Sequence, residues 1–375
     1  MAPETKPRKG ASLTAPETKP GRKPRIEAFD YMKAFSMIVV IFDHFGVHVG
    51  ELEGQPFLAQ RLQAYVNGSW EVAIMMFLMT SGALCWYNHP RVEWKDLGSY
   101  YKKRFVAIFP SFYIVWFLGY LENVLQYKSL LYVKPGHSIL LSFIGMDGYL
   151  GFLGDNYYVA GEWFFGMIVL LYLLYPFVAR VFAIRVLRFP IEAGLVIGTY
   201  LVYHHNIFGM LPARNIVTCL LAFWTGMILI SYYKKLINLP AFLIAAVVAY
   251  IILFVPFNRW EKETVFFEDI LGAAFFILMA CISEKFPKIP GLSAWAKYTS
   301  AISLQMLLMQ HMMVLKVLSN FAGMYIGHRT EVALLLFTVF LVYLTADMLF
   351  IVTEKVVERV GKWSASLPFG RKSTR

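Results

Sequence analysis

The chain has 375 residues, 58% of them hydrophobic and 17% aromatic, with a mean hydropathy of +0.55. Soluble domains hold about 45–50% apolar residues, so this composition excludes an ordinary soluble enzyme and indicates a polytopic membrane protein. The formal charge is +11, yet the basic residues cluster at the ends of apolar spans, which reads as topology and contact with anionic lipid rather than nucleic-acid binding.

Residues 1–25 repeat Ala-Pro-Glu-Thr-Lys-Pro at 2–7 and 15–20, among Lys, Arg, Gly and Pro. Such a segment buries nothing and is expected to be a disordered basic tail. It has no apolar core followed by a small-residue cleavage site, so it does not read as a cleavable signal. Apolar spans then recur at about 29–49, 69–87, 105–125, 161–179, 189–205, 215–233, 239–256, 266–284, 298–320 and 331–354. Each is near the ~20 residues that cross a bilayer. The stretch 138–153 is shorter and broken by Gly145, Gly148 and Gly151.

Charge decides whether that stretch crosses. With 126–160 kept outside, as a re-entrant or surface segment, most basic clusters share one side with the N terminus. These are Arg91, Lys95, Lys102, Lys103 and Arg104; Arg180, Arg185 and Arg188; Lys234 and Lys235; Lys285, Lys288 and Lys297; and the 355–375 tail. The outer loops keep few, such as Arg61, Lys128, Lys134, Arg214, Arg259, Lys262 and Arg329. The positive-inside rule therefore predicts an all-α membrane bundle of about ten transmembrane helices, with both termini cytoplasmic. No soluble domain is left over. Cys85, Cys219 and Cys281 are too few and too widely spaced for a disulfide or zinc framework, and read as small buried hydrophobes.

The first span contains the most informative pair. Lys33 and His44 lie eleven positions apart, so they share one helical stripe roughly 16 Å from end to end. Ionisable groups at membrane depth are expensive and mark sites or pathways. His44 is a candidate general base for an acceptor hydroxyl, because imidazole titrates near neutrality; the plain alternative is a polar contact between helices. Asp43 is turned by ~100° from its neighbour, so adjacency makes no dyad, although it could orient the site. Lys33 follows Asp30 by three residues, which suits a snorkelling lysine in an intrahelical ion pair or a phosphate contact for a charged ligand.

Further along, Phe77-Leu78-Met79-Thr80-Ser81-Gly82 ends in a small polar pair suited to close helix packing. Lys102, Lys103 and Arg104 anchor a helix that runs into Pro110. Glu162 and Trp163 open another span, where Trp163 is an interfacial aromatic and Glu162 a group at the outer mouth of a cavity; Tyr172 and Pro176 follow. His204 and His205 diverge on a helix and make no metal site, whereas His311 is a second buried histidine candidate.

In this order the pieces resemble the acyltransferase 3 superfamily of integral membrane O-acyltransferases, over about residues 26–350. Its opening Asp-x-x-Arg-x10-His is similar to Asp30-x-x-Lys33-x10-His44, with lysine for arginine. A Phe-Phe-x-x-Ser-Gly element is loosely matched from Phe77 to Gly82, a basic helix start before proline by Lys103, Arg104 and Pro110, and Trp-x8-Tyr-x3-Pro by Trp163, Tyr172 and Pro176. A serine-rich stretch ending in histidine is matched by Ser300, Ser303 and His311. Ile168 and Ala107 stand where many members carry Glu and Arg, and Trp163-Phe164-Phe165 is more similar to the fucose-acetylase-like branch.

The resemblance implies a membrane acyltransferase domain over 26–354, between the N-terminal tail and a cytoplasmic basic tail at 355–375. It implies a bacterial cytoplasmic-membrane enzyme that moves an acyl group, acetyl foremost, from acyl-CoA to a hydroxyl of a glycan or lipid-linked sugar. Lys33, Asp30, Lys103, Arg104 and Ser81 would bind the donor, His44 and Asp43 would serve catalysis, and Glu162, Trp163 and His311 would meet the acceptor. No metal is expected. The competing reading is a transporter or flippase that binds substrate or protons through Lys33, Asp43 and His44. Transporters often carry internal repeats, and the two halves of this chain show no convincing similarity.

Overall fold

The computed structural model describes residues 23–50, 71–157, 160–205, 207–255 and 264–366, and among these every regular element is helical. The expected tail lies outside the described residues except for its last three, and so do Arg61, Arg259 and Lys262. The long helices are α1 (Ala28–Gly50), α2 (Val72–Asn88), α3 (Leu97–Tyr127), α4 (Glu162–Ala183), α5 (Arg188–His205) and α6 (Ile216–Ser231). They continue with α7 (Leu239–Phe254), α8 (Thr264–Lys285), α9 (Pro290–Ala301), α10 (Ser303–Leu318) and α11 (His328–Ser366).

A helix covers each expected span. Six are long and apolar enough to cross a membrane by themselves, and α2, α6 and α7 are apolar but shorter, at 16 or 17 residues. One expectation changes shape. The span at 298–320 is not a single rod, because α9 and α10 meet at Ile302 with a bend of 77°. At the C terminus α11 continues unbroken past the expected span end at 354 and through Ser366.

Local chemistry sets several helix ends. Asn215 caps α6 by accepting from Val217 N at 3.0 Å, and Asn238 caps α7 by accepting from Ala241 N at 2.8 Å. The stretch 138–153 forms no crossing helix; its one α-helix, Ile139–Phe143, has five residues, about 7.5 Å of rise. This segment and the chain on either side of it are tied to aromatic residues of α3. Tyr113 donates to the Phe143 carbonyl at 2.7 Å, Trp116 to that of Tyr157 at 3.3 Å, and Tyr120 to that of Leu130 at 2.7 Å.

The closest approach in the bundle lies between α2 and α6. A Cβ on Gly82 would sit 2.0 Å from the Phe223 carbonyl oxygen, and one on Gly226 would sit 2.0 Å from that of Met79. Small residues let two backbones touch where lipid supplies no hydrophobic push between helices. Around this seam α1 packs against α2, α8, α9 and α10, while α10 also packs on α3 and α11. The outer helix α7 buries only Ala245, Ala249 and Ile252, one stripe, and turns Leu243, Ile244, Val247, Tyr250 and Phe254 outward. Such a surface suits hydrocarbon, not water.

Candidate active site

Three helices meet at a partly buried polar cluster. From α1 comes His44, from the first residue of α4 comes Glu162, and from α10 come Gln310 and His311. The backbone at Glu162 is unusual, with φ +46° directly after Gly161 at φ +85°. Left-handed geometry costs a non-glycine residue about 1 kcal/mol or more and persists where the surroundings over-determine it. The surroundings here are three polar neighbours, His44, Gln310 and His311. A Cβ on Gly161 would lie 2.8 Å from Phe165 Cβ, so this turn is reserved for glycine.

The distances define a closed network. Gln310 Nε2 donates to Glu162 Oε1 at 2.6 Å, and His311 Nδ1 lies 3.1 Å from the same oxygen. His44 Nδ1 is 2.6 Å from Gln310 Oε1, while His44 Nε2 is 3.4 Å from Glu162 Oε2. The His44 and His311 rings stand 5.0 Å apart, and His48, one turn beyond His44, is 5.1 Å from His311. Asp43 lies within electrostatic reach of His44, Glu162 and His48. The side chains of His44, Glu162 and His311 keep 21%, 14% and 32% exposure, whereas Gln310 keeps none. A ligand can therefore reach the two rings and the carboxylate but not the amide.

Trp163 sits beside the cluster with the Arg214 guanidinium 5.5 Å from its ring. His44, Glu162, Trp163, His311 and Asp43, expected from sequence, are thus brought into one neighbourhood. Gln310 and His48 were not expected. The signal for Gln310 was an amide inside a Met- and Leu-rich span, the same depth argument that singled out the histidines.

A second polar region lies toward the start of α1. Arg104 is directed into the bundle, 5.3 Å from the Tyr100 ring and 4.9 Å from the Tyr172 ring. Lys33 lies within electrostatic reach of Arg104, and Ser81 adjoins Tyr172. Two expectations are redistributed here. Asp30 is gripped by Arg25, at 2.7 Å from both Nε and Nη2, rather than held chiefly by Lys33. Lys103 stands exposed on the outer side of α3, one position from the inward Arg104, because successive helical residues diverge by ~100°. The last residues of the expected tail are pinned as well. Lys23 donates to the Tyr87 carbonyl, and Tyr87 donates to that of Pro24 at 3.0 Å.

His44, Glu162 and His311 each offer a ligand-type atom within 4.8 Å of the others. Histidine and carboxylate are donors that divalent ions accept. In this geometry Gln310 bridges His44 Nδ1 and Glu162 Oε1, so the cluster is also linked as a hydrogen-bonded unit.

The family model for an acyltransferase domain matches residues 26–349, and the chain belongs to the acyltransferase 3 family. Nothing matches among curated proteins or among solved structures. With its apolar helices and this domain, the protein is an integral membrane acyltransferase.

Proposed function

We propose that this protein transfers an acyl group, acetyl foremost, from coenzyme A to a hydroxyl of a glycan or lipid-linked sugar at a bacterial cytoplasmic membrane, with His44 as general base. The observation that carries the reading is the His44–Gln310–Glu162–His311 cluster at one end of the α1 stripe whose other end holds Lys33 beside Arg104. The ~16 Å expected between Lys33 and His44 is comparable to the reach of a pantetheine arm. Lys33 feels Asp30 first, then the cations Arg25 and Arg104; guanidinium and ammonium groups are suited to phosphates.

In this reading the nucleotide phosphates lie against Lys33 and Arg104, and the thioester reaches His44. The acceptor hydroxyl gives its proton to the imidazole as its oxygen attacks the thioester carbonyl. The carbon–sulfur bond breaks, and the proton leaves with the thiol. Each step needs only a base positioned beside the acceptor hydroxyl, so no covalent enzyme intermediate is required. Ser81 adjoins Tyr172 rather than a histidine, which supports direct transfer over a serine nucleophile. The test uses membranes supplied with labelled acetyl-CoA and a glycolipid extract. Acceptor-dependent release of free thiol, abolished in His44→Ala, supports the proposal; thiol release that needs no acceptor, or survives in that variant, defeats it.

A further inference from the structure

We infer that Gln310 is a positioning residue that fixes the tautomer of His44 and links it to Glu162; this rests on His44 being the base. As a carboxylate, Glu162 can only accept, so the Gln310 amide must turn its NH2 toward it, at 2.6 Å. The amide oxygen then faces His44 Nδ1, also at 2.6 Å, and a carbonyl oxygen can only accept. The proton of the neutral ring therefore resides on Nδ1. His44 Nε2 is left with its lone pair, on the nitrogen a base must use.

That nitrogen stands 3.4 Å from Glu162 Oε2. In the neutral ring this brings a lone pair toward a carboxylate oxygen, with no hydrogen between them. When a hydroxyl gives up its proton, the O–H bond breaks and an Nε2–H bond forms, and the new imidazolium can donate to Oε2. One carboxylate thus serves twice: Oε1 orients the amide that sets the tautomer, and Oε2 receives the ring after proton transfer. The complete burial of Gln310 removes water as a competing partner for Nδ1. Its neighbour His311 reinforces the polarity by approaching the same Oε1 at 3.1 Å. Gln305, the other amide of α10, donates to Ser111 Oγ at 3.0 Å and takes no part in this chain.

Two substitutions separate this role from simple packing. Gln310→Met keeps length and suits the methionine-rich helix, but offers neither acceptor nor donor of comparable strength. Gln310→Glu can replace the amide only while protonated, its hydroxyl donating to Glu162 and its carbonyl accepting from His44. Turnover of acetyl-CoA with the glycolipid acceptor is measured at pH 6 and pH 9 and expressed relative to wild type at the same pH, per folded protein eluting monodisperse from detergent. The other titratable groups around the cluster are Asp43, His44 and His48 on α1, Glu162 on α4 and His311 on α10, with Glu71 and Glu268 reaching it through Asp43. They are common to all variants, so the ratio reports the change at position 310 together with its effect on these neighbours.

The expected result is a kcat for Gln310→Met lowered about 100-fold, within the range of general-base contributions, with donor KM changed less than about threefold. Gln310→Glu should stay within about tenfold of wild type at pH 6 and fall well below that at pH 9, as a second carboxylate forms against Glu162. Wild-type rates in Gln310→Met, or equal losses in both variants at both pH values, would overturn the inference. Failure of the base reading is read separately, as turnover persisting in His44→Ala.

Discussion

The two polar regions along α1 are built on opposite principles. At the His44 end, four side chains from three helices are joined by three hydrogen bonds of 2.6–3.1 Å, with His44 Nε2 left 3.4 Å from Glu162 Oε2, and the strained backbone at Glu162 belongs to this set. At the Lys33 end, the cations Lys33, Arg25 and Arg104 share one neighbourhood with Asp30, and Arg104 lies against the rings of Tyr100 and Tyr172. A closed hydrogen-bonded set is preorganised for one proton transfer, because its partners need not move. A cationic region beside aromatic faces is instead poised for an anion that arrives and leaves. The contrast assigns chemistry to the first and binding to the second, and kinetics can separate the two.

The largest expected effect is that of His44→Ala, a loss of about 10³-fold or more in kcat with the protein still folded in detergent, since general-base catalysis typically contributes 10²–10⁴. Glu162→Gln comes next. It keeps size but loses the charge that orients Gln310 and receives the ring, and kcat should fall about 10²-fold with donor KM nearly constant. Arg104→Leu should show the reverse split, with donor KM rising about tenfold or more and kcat kept, because a charged hydrogen bond to phosphate is worth about 1.5–3 kcal/mol. Lys103→Ala sharpens the boundary of the binding region. Exposed and screened, it should raise donor KM by no more than about twofold, and less again at high salt. A kcat collapse in Arg104→Leu, or a pure KM effect in Glu162→Gln, would break the division of labour.

Much of this was legible in the sequence because membranes make local patterns informative. Hydropathy located a helix at every expected span, polar residues within apolar spans pointed to His44, Lys33 and His311, a helix start pointed to Glu162, and the family resemblance added Arg104. The resemblance to the acyltransferase 3 family, read from scattered motifs, is borne out by the match over 26–349. What the sequence hid are contacts between distant segments. Gln310 and His311 are adjacent and diverge on an ideal helix, yet both reach Glu162, 148 and 149 positions away. Arg25 gripping Asp30 was obscured by the composition of the tail that precedes it, which reads as disordered. The packing role read for Ser81-Gly82 holds at Gly82, where the α6 backbone leaves no space for a Cβ.

The central claim is that one donor molecule spans both regions. It is tested most directly by cryo-electron microscopy of the full chain with an acetyl-CoA analogue whose thioester sulfur is replaced by methylene. The account predicts phosphate density against Lys33 and Arg104, with the acetyl carbonyl within about 4 Å of His44 Nε2. Density placing the nucleotide elsewhere, or the acetyl end remote from His44, would contradict it.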